Sequence, residues 1–317
     1  MKLKNKHLIG LEGYPKQDIN EIIETAFSFK EVLERPIKKV PSLQGKTIVN
    51  LFFENSTRTR ISFELAEKRL SADSINFSAS SSSLNKGETF KDTVKNIESM
   101  KIDAAVIRHP FPGSALMLTN YIDSVVINAG DGTHEHPTQA LLDIVSLKEK
   151  FGYIKNLKIG IIGDISHSRV ALSNIFGLRT LGAEVTLCGP STLMPLKIEE
   201  LGLSVNNNID EVIEWADAIN VLRIQRERMN NALIPSVREY RRLFGITQSR
   251  IEKHNSELVI MHPGPMNRWV EIDSNVADSD QAIILDQVLN GVATRMAILY
   301  LLLSGTTNKV SKCKQKK

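Results

Sequence analysis

The feature that most constrains the fold is a repeated alternation of short apolar runs with longer amphipathic segments. The run from Thr47 to Phe52 has the length and composition of a buried strand. After a polar turn, Phe63, Ala66 and Leu70 recur at helical spacing. Similar apolar runs occupy residues 104–107, 125–128, 157–162, 184–188, 218–222 and 258–261. Strands that alternate with helices predict an α/β fold with parallel sheets, and 317 residues suffice for two such domains.

The first polar turn has the composition of a phosphate site. Ser56, Thr57, Arg58 and Thr59 follow the strand directly and precede the helix. The first backbone N–H groups of a helix lack internal partners and carry the positive end of its dipole, so they bind anions readily. Three hydroxyls and a guanidinium add side-chain donors. This cluster favours a phosphoryl ligand, whereas Ser56 alone would be interpreted as an ordinary N-cap.

Arg60 lies two positions after Arg58, which turns it about 200° around the helix axis. We therefore expect only Arg58 to face the ligand, and Arg60 to pair with Glu64 or Glu54.

Polar groups also follow several later strands, at the edge where open α/β sheets bind ligands. Arg108 ends one strand, and the segments 131–139, 163–169, 223–225 and 262–268 follow others. In the last of these, prolines on both sides of Gly264 restrict the backbone and favour the presentation of carbonyl oxygens.

Two cofactor interpretations are weak. His134 and His136, with Asp131 and Glu135, have no regular element to fix a ligand geometry, so we expect no metal. Gly160 and Gly163 lack the third glycine of a dinucleotide fingerprint, so we expect no nucleotide cofactor.

The combined motifs resemble the aspartate and ornithine carbamoyltransferase superfamily over nearly the whole chain. The phosphate turn reads Ser-Thr-Arg-Thr-Arg, residues 136–143 read His-Pro-Thr-Gln-Ala-Leu-Leu-Asp, and residues 163–169 read Gly-Asp-Ile-Ser-His-Ser-Arg. Arg223-x-Gln225 and the His-Pro-Gly-Pro turn at 262–265 resemble the aspartate branch, because the ornithine branch has a cysteine in that turn.

The resemblance implies an enzyme that carbamoylates aspartate, with carbamoyl phosphate and L-aspartate as ligands and no cofactor. The implied catalytic residues are Arg58, Thr59, Lys86, Arg108 and His136. The implied substrate-binding set adds Ser56, Thr57, Ser82, Ser83, Gln139, Arg169, Arg223, Gln225, Gly264 and Pro265. Within the serine run, the resemblance leaves open whether Ser82 or Ser83 is the contact.

The implied architecture is α/β, with two doubly wound parallel-sheet domains joined by interdomain helices. Residues 1–136 would bind carbamoyl phosphate, 137–151 form a linking helix, and 152–286 bind aspartate. A C-terminal helix at 287–304 would return to the first domain, followed by a basic tail at 305–317. In the superfamily the loop that carries Lys86 enters the neighbouring site, which implies a homotrimer. Regulatory chains or other pathway enzymes as partners remain open.

Composition narrows the setting. Two cysteines cannot build a disulfide framework, and a reducing compartment is the simpler assumption. The basic N-terminus lacks a long apolar segment, so we expect a cytoplasmic protein without a membrane anchor. The lysine-rich C-terminus is interpreted as a solvated end rather than a nucleic-acid contact.

One residue departs from the superfamily pattern. Trp269 stands where this branch commonly has glycine, and a positive φ there would strain it. This departure leaves open a second interpretation, an inactive subunit that binds ligands and regulates a partner.

Overall fold

The computed structural model describes residues 3–78, 89–225 and 233–304, and these form two parallel α/β units. The first contains α1 Lys16–Glu34, β1 Thr47–Phe52, α2 Thr57–Arg69, β2 Asp73–Ser78, α3 Phe90–Ser99, β3 Ala104–His109, α4 Ser114–Leu118 and β4 Val125–Asp131. The connecting helix is α5 Pro137–Phe151. The second contains β5 Lys158–Ile162, α6 Arg169–Leu181, β6 Glu184–Cys188, β7 Ser204–Val205, α7 Ile209–Trp215, β8 Ala218–Val221, α8 Val237–Phe244, α9 Gln248–His254, β9 Val259–Met261 and α10 Ser274–Ala277, and α11 Ile284–Leu303 follows.

Both sheets reverse their strand order at an internal point. The first sheet has the order β2-β1-β3-β4, so the chain moves outward from β1 in both directions, and the switch lies between β1 and β3. The second has the order β7-β6-β5-β8-β9, with its switch between β5 and β8. All named strand pairs are parallel. Crevices at such switch points are where α/β proteins bind ligands.

Helix α5 has sequence signals at both ends. Pro137 occupies its first turn, where a missing N–H costs nothing, and Gly152 ends it with a φ of 79°. Most of its residues are buried, because it packs against α6 of the second unit as well as α1 and α11. A helix that is buried on several faces needs no wide polar side, and this one carries the apolar run Ala140, Leu141 and Leu142.

The final helix returns to the first unit, as the sequence predicted. Helix α11 packs on α1, α2 and α5, and its residues from Ala293 to Leu303 are mostly buried. Arg295 lies in this interface with its guanidinium 5.1 Å from the ring centre of Phe63 in α2. The two parallel-sheet units and the returning helix confirm the predicted fold class.

Two details differ from expectation. Residues 229–255 have the polar, basic composition of a loop followed by a single helix, but their described part forms both α8 and α9, because Gly245 ends the first and Thr247 caps the second. The short elements α4, β7 and α10 were not predicted, and each has five residues or fewer, too few to show a period. Over the described ranges, no helix is both long enough and apolar enough to cross a membrane.

Candidate functional site

The described candidate residues lie at or after the carboxyl ends of strands in both sheets. Ser56, Thr57, Arg58 and Thr59 come after β1, Arg108 lies near the end of β3, His136 and Gln139 follow β4, Arg169 follows β5, Arg223 and Gln225 follow β8, and Gly264 and Pro265 follow β9. Lys86, Ser82 and Ser83 lie outside the described residues. The fold therefore collects the described candidates at the carboxyl edges of both sheets.

Glu54, which the sequence suggested only as a possible partner of Arg60, joins the two edges. Glu54 Oε1 accepts from Arg108 Nη2 at 3.1 Å, and its two oxygens accept from Arg169 Nη2 at 2.7 and 2.8 Å. Arg108 belongs to the first unit and Arg169 to the second. One carboxylate thus offsets the repulsion between two guanidinium groups and holds the units together.

The backbone at Gly130 makes this approach sterically feasible. Its φ is 118°, and an added Cβ would lie 2.9 Å from Arg169 Nη1 and 3.3 Å from Arg108 Nη1. Any side chain there would displace the guanidinium groups. Arg169 is buried, and its Nη1 has no hydrogen-bond acceptor within the described part of the chain. A buried donor in this position is suited to an anionic ligand.

The start of α2 fits a ligand site better than an ordinary cap. Ser56 is the N-cap residue, but its side chain makes no capping hydrogen bond. The simple N-cap interpretation of Ser56 is therefore wrong. The first-turn N–H groups keep the dipole's positive end, with the hydroxyls of Thr57 and Thr59 beside them.

Arg58 and Arg223 extend the positive field toward the last turn. An added Cβ on Gly264 would lie 2.7 Å from Arg58 Nη1, so this guanidinium packs against the turn. Arg58 is exposed overall, yet partial desolvation and then the charge of Arg223 lower its pKa. Arg58 and Arg223 follow strands of different sheets and repel each other. Binding of an anion near both would therefore be favourable.

The expected partners of Arg60 form their closest ion pairs with other cations, although the charge of Arg60 helps, after Lys68, to lower the pKa of Glu64. Glu64 pairs with Lys68 at 2.6 Å, and Glu54 pairs with Arg108 and Arg169. Sequence spacing alone favoured the near partners, but the glutamates have closer cations in the folded chain.

His136 is a neutral group in a cationic setting. Burial, followed by the charges of Arg108, Arg295 and Arg169, holds the pKa of His136 well below its usual range. The backbone N–H of His136 donates to Ser173 Oγ at 2.8 Å, and this hydrogen bond fixes the chain at the start of α5. A neutral imidazole donates from one ring nitrogen without adding another charge. His136 can thus hydrogen-bond a carbonyl oxygen.

Gln139 is oriented by a buried carboxylate, Asp143. Asp143 accepts from Gln139 Nε2 at 2.9 Å, Gln287 Nε2 at 2.7 Å, Asn174 Nδ2 at 2.8 Å and Asn220 Nδ2 at 3.2 Å. Since a carboxylate only accepts, Gln139 must present its amide nitrogen to Asp143 and can direct its oxygen elsewhere. Burial raises the pKa of Asp143 to about 6, against the four amide donors, which lower it. The charged residue within the apolar run 140–145 was the one sequence signal of this role.

Gln225 holds the two loops of the second unit together. Its Nε2 donates to the carbonyl of His167 at 3.0 Å, and His167 Nδ1 lies 2.8 Å from Asp164 Oδ1. The segment that leads to Arg169 is thus tied to the segment that carries Arg223.

The last turn has the strain that the sequence suggested. Trp269 has a φ of 69°, and its ring is 54% exposed. The Arg241 guanidinium lies 5.5 Å from the ring centre, which partly offsets the strain. His262 Nδ1 accepts from the Gly264 N–H at 2.8 Å, and the peptide bond between Gly264 and Pro265 is cis. The Cα of Gly264 lies beside the guanidinium of Arg58, at the edge of the cleft.

The histidines near β4 do not form a metal centre. His134 Nδ1 lies 3.3 Å from Asp131 Oδ2, while Glu135 accepts from Ser173 and from backbone N–H groups of residues 11 and 12. Across residues 3–78, 89–225 and 233–304, no three His, Cys, Asp or Glu side chains converge as metal ligands.

Comparisons with known proteins agree along the chain. Residues 6–149 match the family model "Aspartate/ornithine carbamoyltransferase, carbamoyl-P binding domain", and residues 155–302 match the "Asp/Orn binding domain". The aspartate carbamoyltransferase catalytic subunit of Christiangramia forsetii is 60% identical over 303 residues, covering 96% of this chain and 98% of that one.

Solved structures agree with these matches. Aspartate transcarbamoylase from Trypanosoma cruzi in complex with N-(phosphonacetyl)-L-aspartic acid has a TM-score of 0.87 and 31% identity, covering 95% of this chain and 97% of its own. The catalytic subunit of M. jannaschii aspartate transcarbamoylase has a TM-score of 0.83 and 35% identity, covering 95% and 99%.

The strain at Trp269 can be measured by comparing two truncations. Trp269→Gly and Trp269→Ala both remove the ring, but only glycine adopts the positive φ without cost. We expect the glycine variant to be more stable by about 1 kcal/mol in urea unfolding. The control uses Val288, an exposed position inside α11. There the alanine variant should be more stable than the glycine variant. Equal stability of the two Trp269 variants would contradict strain.

Asp143→Asn should destabilise the fold, since an amide cannot accept from four amide donors. We expect a loss of about 1–3 kcal/mol for each donor left unpaired. Asp123→Asn, at an exposed position, is the matched control. Because the pKa of Asp143 is raised from 3.8 to about 6, the folded state binds its proton more readily between these values. The wild type should therefore gain stability relative to Asp143→Asn as the pH falls through this window. A pH-independent difference would contradict the assignment.

Proposed function

The chain belongs to the aspartate/ornithine carbamoyltransferase family, and we propose that it transfers the carbamoyl group of carbamoyl phosphate to the amino group of L-aspartate. The products are N-carbamoyl-L-aspartate and phosphate, in de novo pyrimidine biosynthesis. The observation that carries this proposal is the Glu54 bridge, which sets the anion-binding edges of the two sheets against each other. We propose a first domain at 1–136 with the helix 287–304, a linking helix at 137–151 and a second domain at 152–286.

The phosphate end of the ligand would be held by the first unit. Ser56, Thr57 and Thr59 supply hydroxyls and N–H groups at the start of α2, while Arg58 and Arg108 supply charge. Lys86 with Ser82 or Ser83 would add contacts from a neighbouring subunit. A ligand with about two negative charges needs several positive groups, and the Glu54 pairing limits their mutual repulsion.

The carbamoyl group would lie between His136, Gln139 and the last turn. Neutral His136 donates to the carbonyl oxygen, and Gln139 accepts from the amide through the oxygen that Asp143 leaves available. The backbone carbonyls of Gly264 and Pro265 would accept further amide and amine hydrogens. These contacts fix the plane of the reacting group.

The dicarboxylate would bind to the second unit. Arg169 directs Nη2 to Glu54, which leaves its buried Nη1 to bind one carboxylate. Arg223 would take the second carboxylate. Gln225 would hold the segment that carries Arg223 against the segment that leads to Arg169. This pair of cations favours an acidic substrate over ornithine, whose side chain is a cation.

The reaction needs an uncharged amine and a stabilised oxyanion. The amine nitrogen attacks the carbamoyl carbon and the C–N bond forms. The carbon–oxygen bond to phosphate then breaks, and the proton of the nitrogen passes to the departing phosphate. Thr59, Arg108 and His136 would stabilise the oxygen of the tetrahedral intermediate, an effect of about 3 kcal/mol per lost donor. The low pKa of His136 keeps it neutral throughout.

We also propose a cytoplasmic homotrimer with sites shared between subunits. The support is the family membership together with Lys86, which lies on a segment that the superfamily contributes to the neighbouring site.

The direct test measures phosphate release from carbamoyl phosphate with L-aspartate and with L-ornithine side by side. We expect turnover with aspartate only, and a loss of about 10²-fold or more in kcat for Arg58→Ala. Arg60→Ala is the matched control, because it removes an exposed arginine on the same helix that faces away from the site. Saturable binding without turnover would instead favour an inactive regulatory subunit, for which the strained Trp269 is the supporting feature.

Shared sites can be tested by mixing two inactive variants. Ser56→Ala and Lys86→Ala affect different contributions to one site, so random mixed trimers should contain roughly one quarter of intact sites, and isolated 2:1 trimers roughly one third. Each variant alone should stay nearly inactive. Absence of recovered activity in verified mixed trimers would exclude shared sites.

A further inference from the structure

A second cationic region lies in the second unit and has no role in the proposed reaction. Helix α8 carries Arg238, Arg241 and Arg242, and helix α9 carries Arg250, Lys253 and His254. Each triplet has the spacing i, i+3, i+4, which puts its members on one face of a helix. All six line one cavity of about 520 Å³ between the helices. None of the candidate substrate residues lines it.

Three of these six groups already have acidic partners. Arg241 Nη2 contacts Asp273 Oδ1 at 2.6 Å, and Arg250 Nε contacts Asp210 Oδ1. His254 Nδ1 lies 2.6 Å from Glu214 Oε1. These three groups form the structural frame of the cavity.

The other three have no acidic partner among residues 3–78, 89–225 and 233–304. Within the described residues, Arg238, Arg242 and Lys253 make no ion pair, and all three are exposed. Three like charges around one cavity repel each other, so binding of an anion there would release unfavourable energy. The excess of positive charge is therefore local to this cavity and does not follow from the overall charge of the chain.

The lining restricts the class of ligand. All nine residues that line the cavity are polar or charged, including the hydroxyls of Thr247 and Ser249. Such a surface offers many donors to oxygen atoms, and its lining residues include no Phe, Tyr, Trp or aliphatic side chain against which a nucleobase would pack. Arginine forks and a lysine around hydroxyls are suited to phosphoryl oxygens. The volume is also within the range of small-molecule sites, about 300–1,000 Å³.

We propose that this cavity is a second anion site, which binds a multiply charged phosphoryl group such as pyrophosphate or the polyphosphate chain of a nucleotide. Arg238, Arg242 and Lys253 supply the charge, and Thr247 and Ser249 donate hydrogen bonds. Recognition is confined to the phosphoryl oxygens, so a nucleoside adds nothing to the affinity.

The test is calorimetric titration of the full chain with inorganic pyrophosphate in low-salt, phosphate-free buffer. The candidate active site is first saturated with N-(phosphonacetyl)-L-aspartic acid. A parallel arm uses Arg58→Ala without that compound, so the result does not depend on the proposed function. We expect one remaining pyrophosphate site per chain in both arms, with affinity that falls as salt rises.

The variant Arg238→Gln/Arg242→Gln/Lys253→Gln should weaken this binding by at least about tenfold, the equivalent of about 1.4 kcal/mol. Its matched control is Arg35→Gln/Lys38→Gln/Lys39→Gln, which removes three exposed cations after α1. The single variant Arg242→Gln gives a smaller loss if the triple variant folds poorly. Tripolyphosphate and ATP should bind equally well.

Absence of the second site in both arms, or equal pyrophosphate affinity in the triple variant and its control, would overturn the proposal. Tighter binding of ATP than of tripolyphosphate would overturn the restriction to phosphoryl oxygens.

Discussion

The ion pairs of Glu54 with Arg108 and Arg169 are the contacts on which the arrangement of the site depends. Two guanidinium groups at the edges of separate sheets repel each other, and burial of Arg169 makes an unpaired charge there costly. A carboxylate between them lowers that cost and sets the distance between the sheets. Burial, and then the charges of Arg108, Arg295 and Arg169, lower the pKa of His136 and keep it neutral. Glu54 thus contributes to the geometry of the cleft, and the two arginines that it orients contribute to the protonation state of His136.

A second carboxylate fixes the helix between the units. Asp143 in α5 accepts from Asn174 in α6, Asn220 in β8 and Gln287 in α11, so one buried group contacts both units. Burying a carboxylate is unfavourable, and its raised pKa reflects that cost. Four hydrogen bonds from amide donors offset this cost, and together they fix the orientation of the Asp143 carboxylate. Gln139 is oriented as part of the same network.

The proposed chemistry needs little beyond position and charge. The cleft borders a helix N-terminus, a neutral imidazole, an oriented amide and cations from both sheets, which together suit a small anion and a diacid. The cavity between α8 and α9 has a different composition, since it offers cations and hydroxyls without an imidazole or an oriented amide. That difference separates a site built for reaction from one suited only to binding.

The sequence predicted most of the elements, because burial imposes a period that is visible in apolar residues. The strand Thr47–Phe52, the helix Pro137–Phe151 and the strand Glu184–Cys188 have the predicted limits. The prediction for the segment of α8 and α9 was less accurate, because its polar composition does not indicate the break at Gly245. The departure at Trp269 was visible from a motif, and the positive φ is a local property that one residue can reveal.

The sequence alone determined which residues end strands and carry hydroxyls, amides or charge, because these properties are local. Only the tertiary structure decided which groups pair. Glu54 is 115 residues from Arg169, and spacing had assigned it to Arg60. Likewise, Asp143 is 144 residues from Gln287. Such pairs form because elements far apart in the sequence pack against each other, and the energy of each pair depends on burial and distance, which no local pattern encodes.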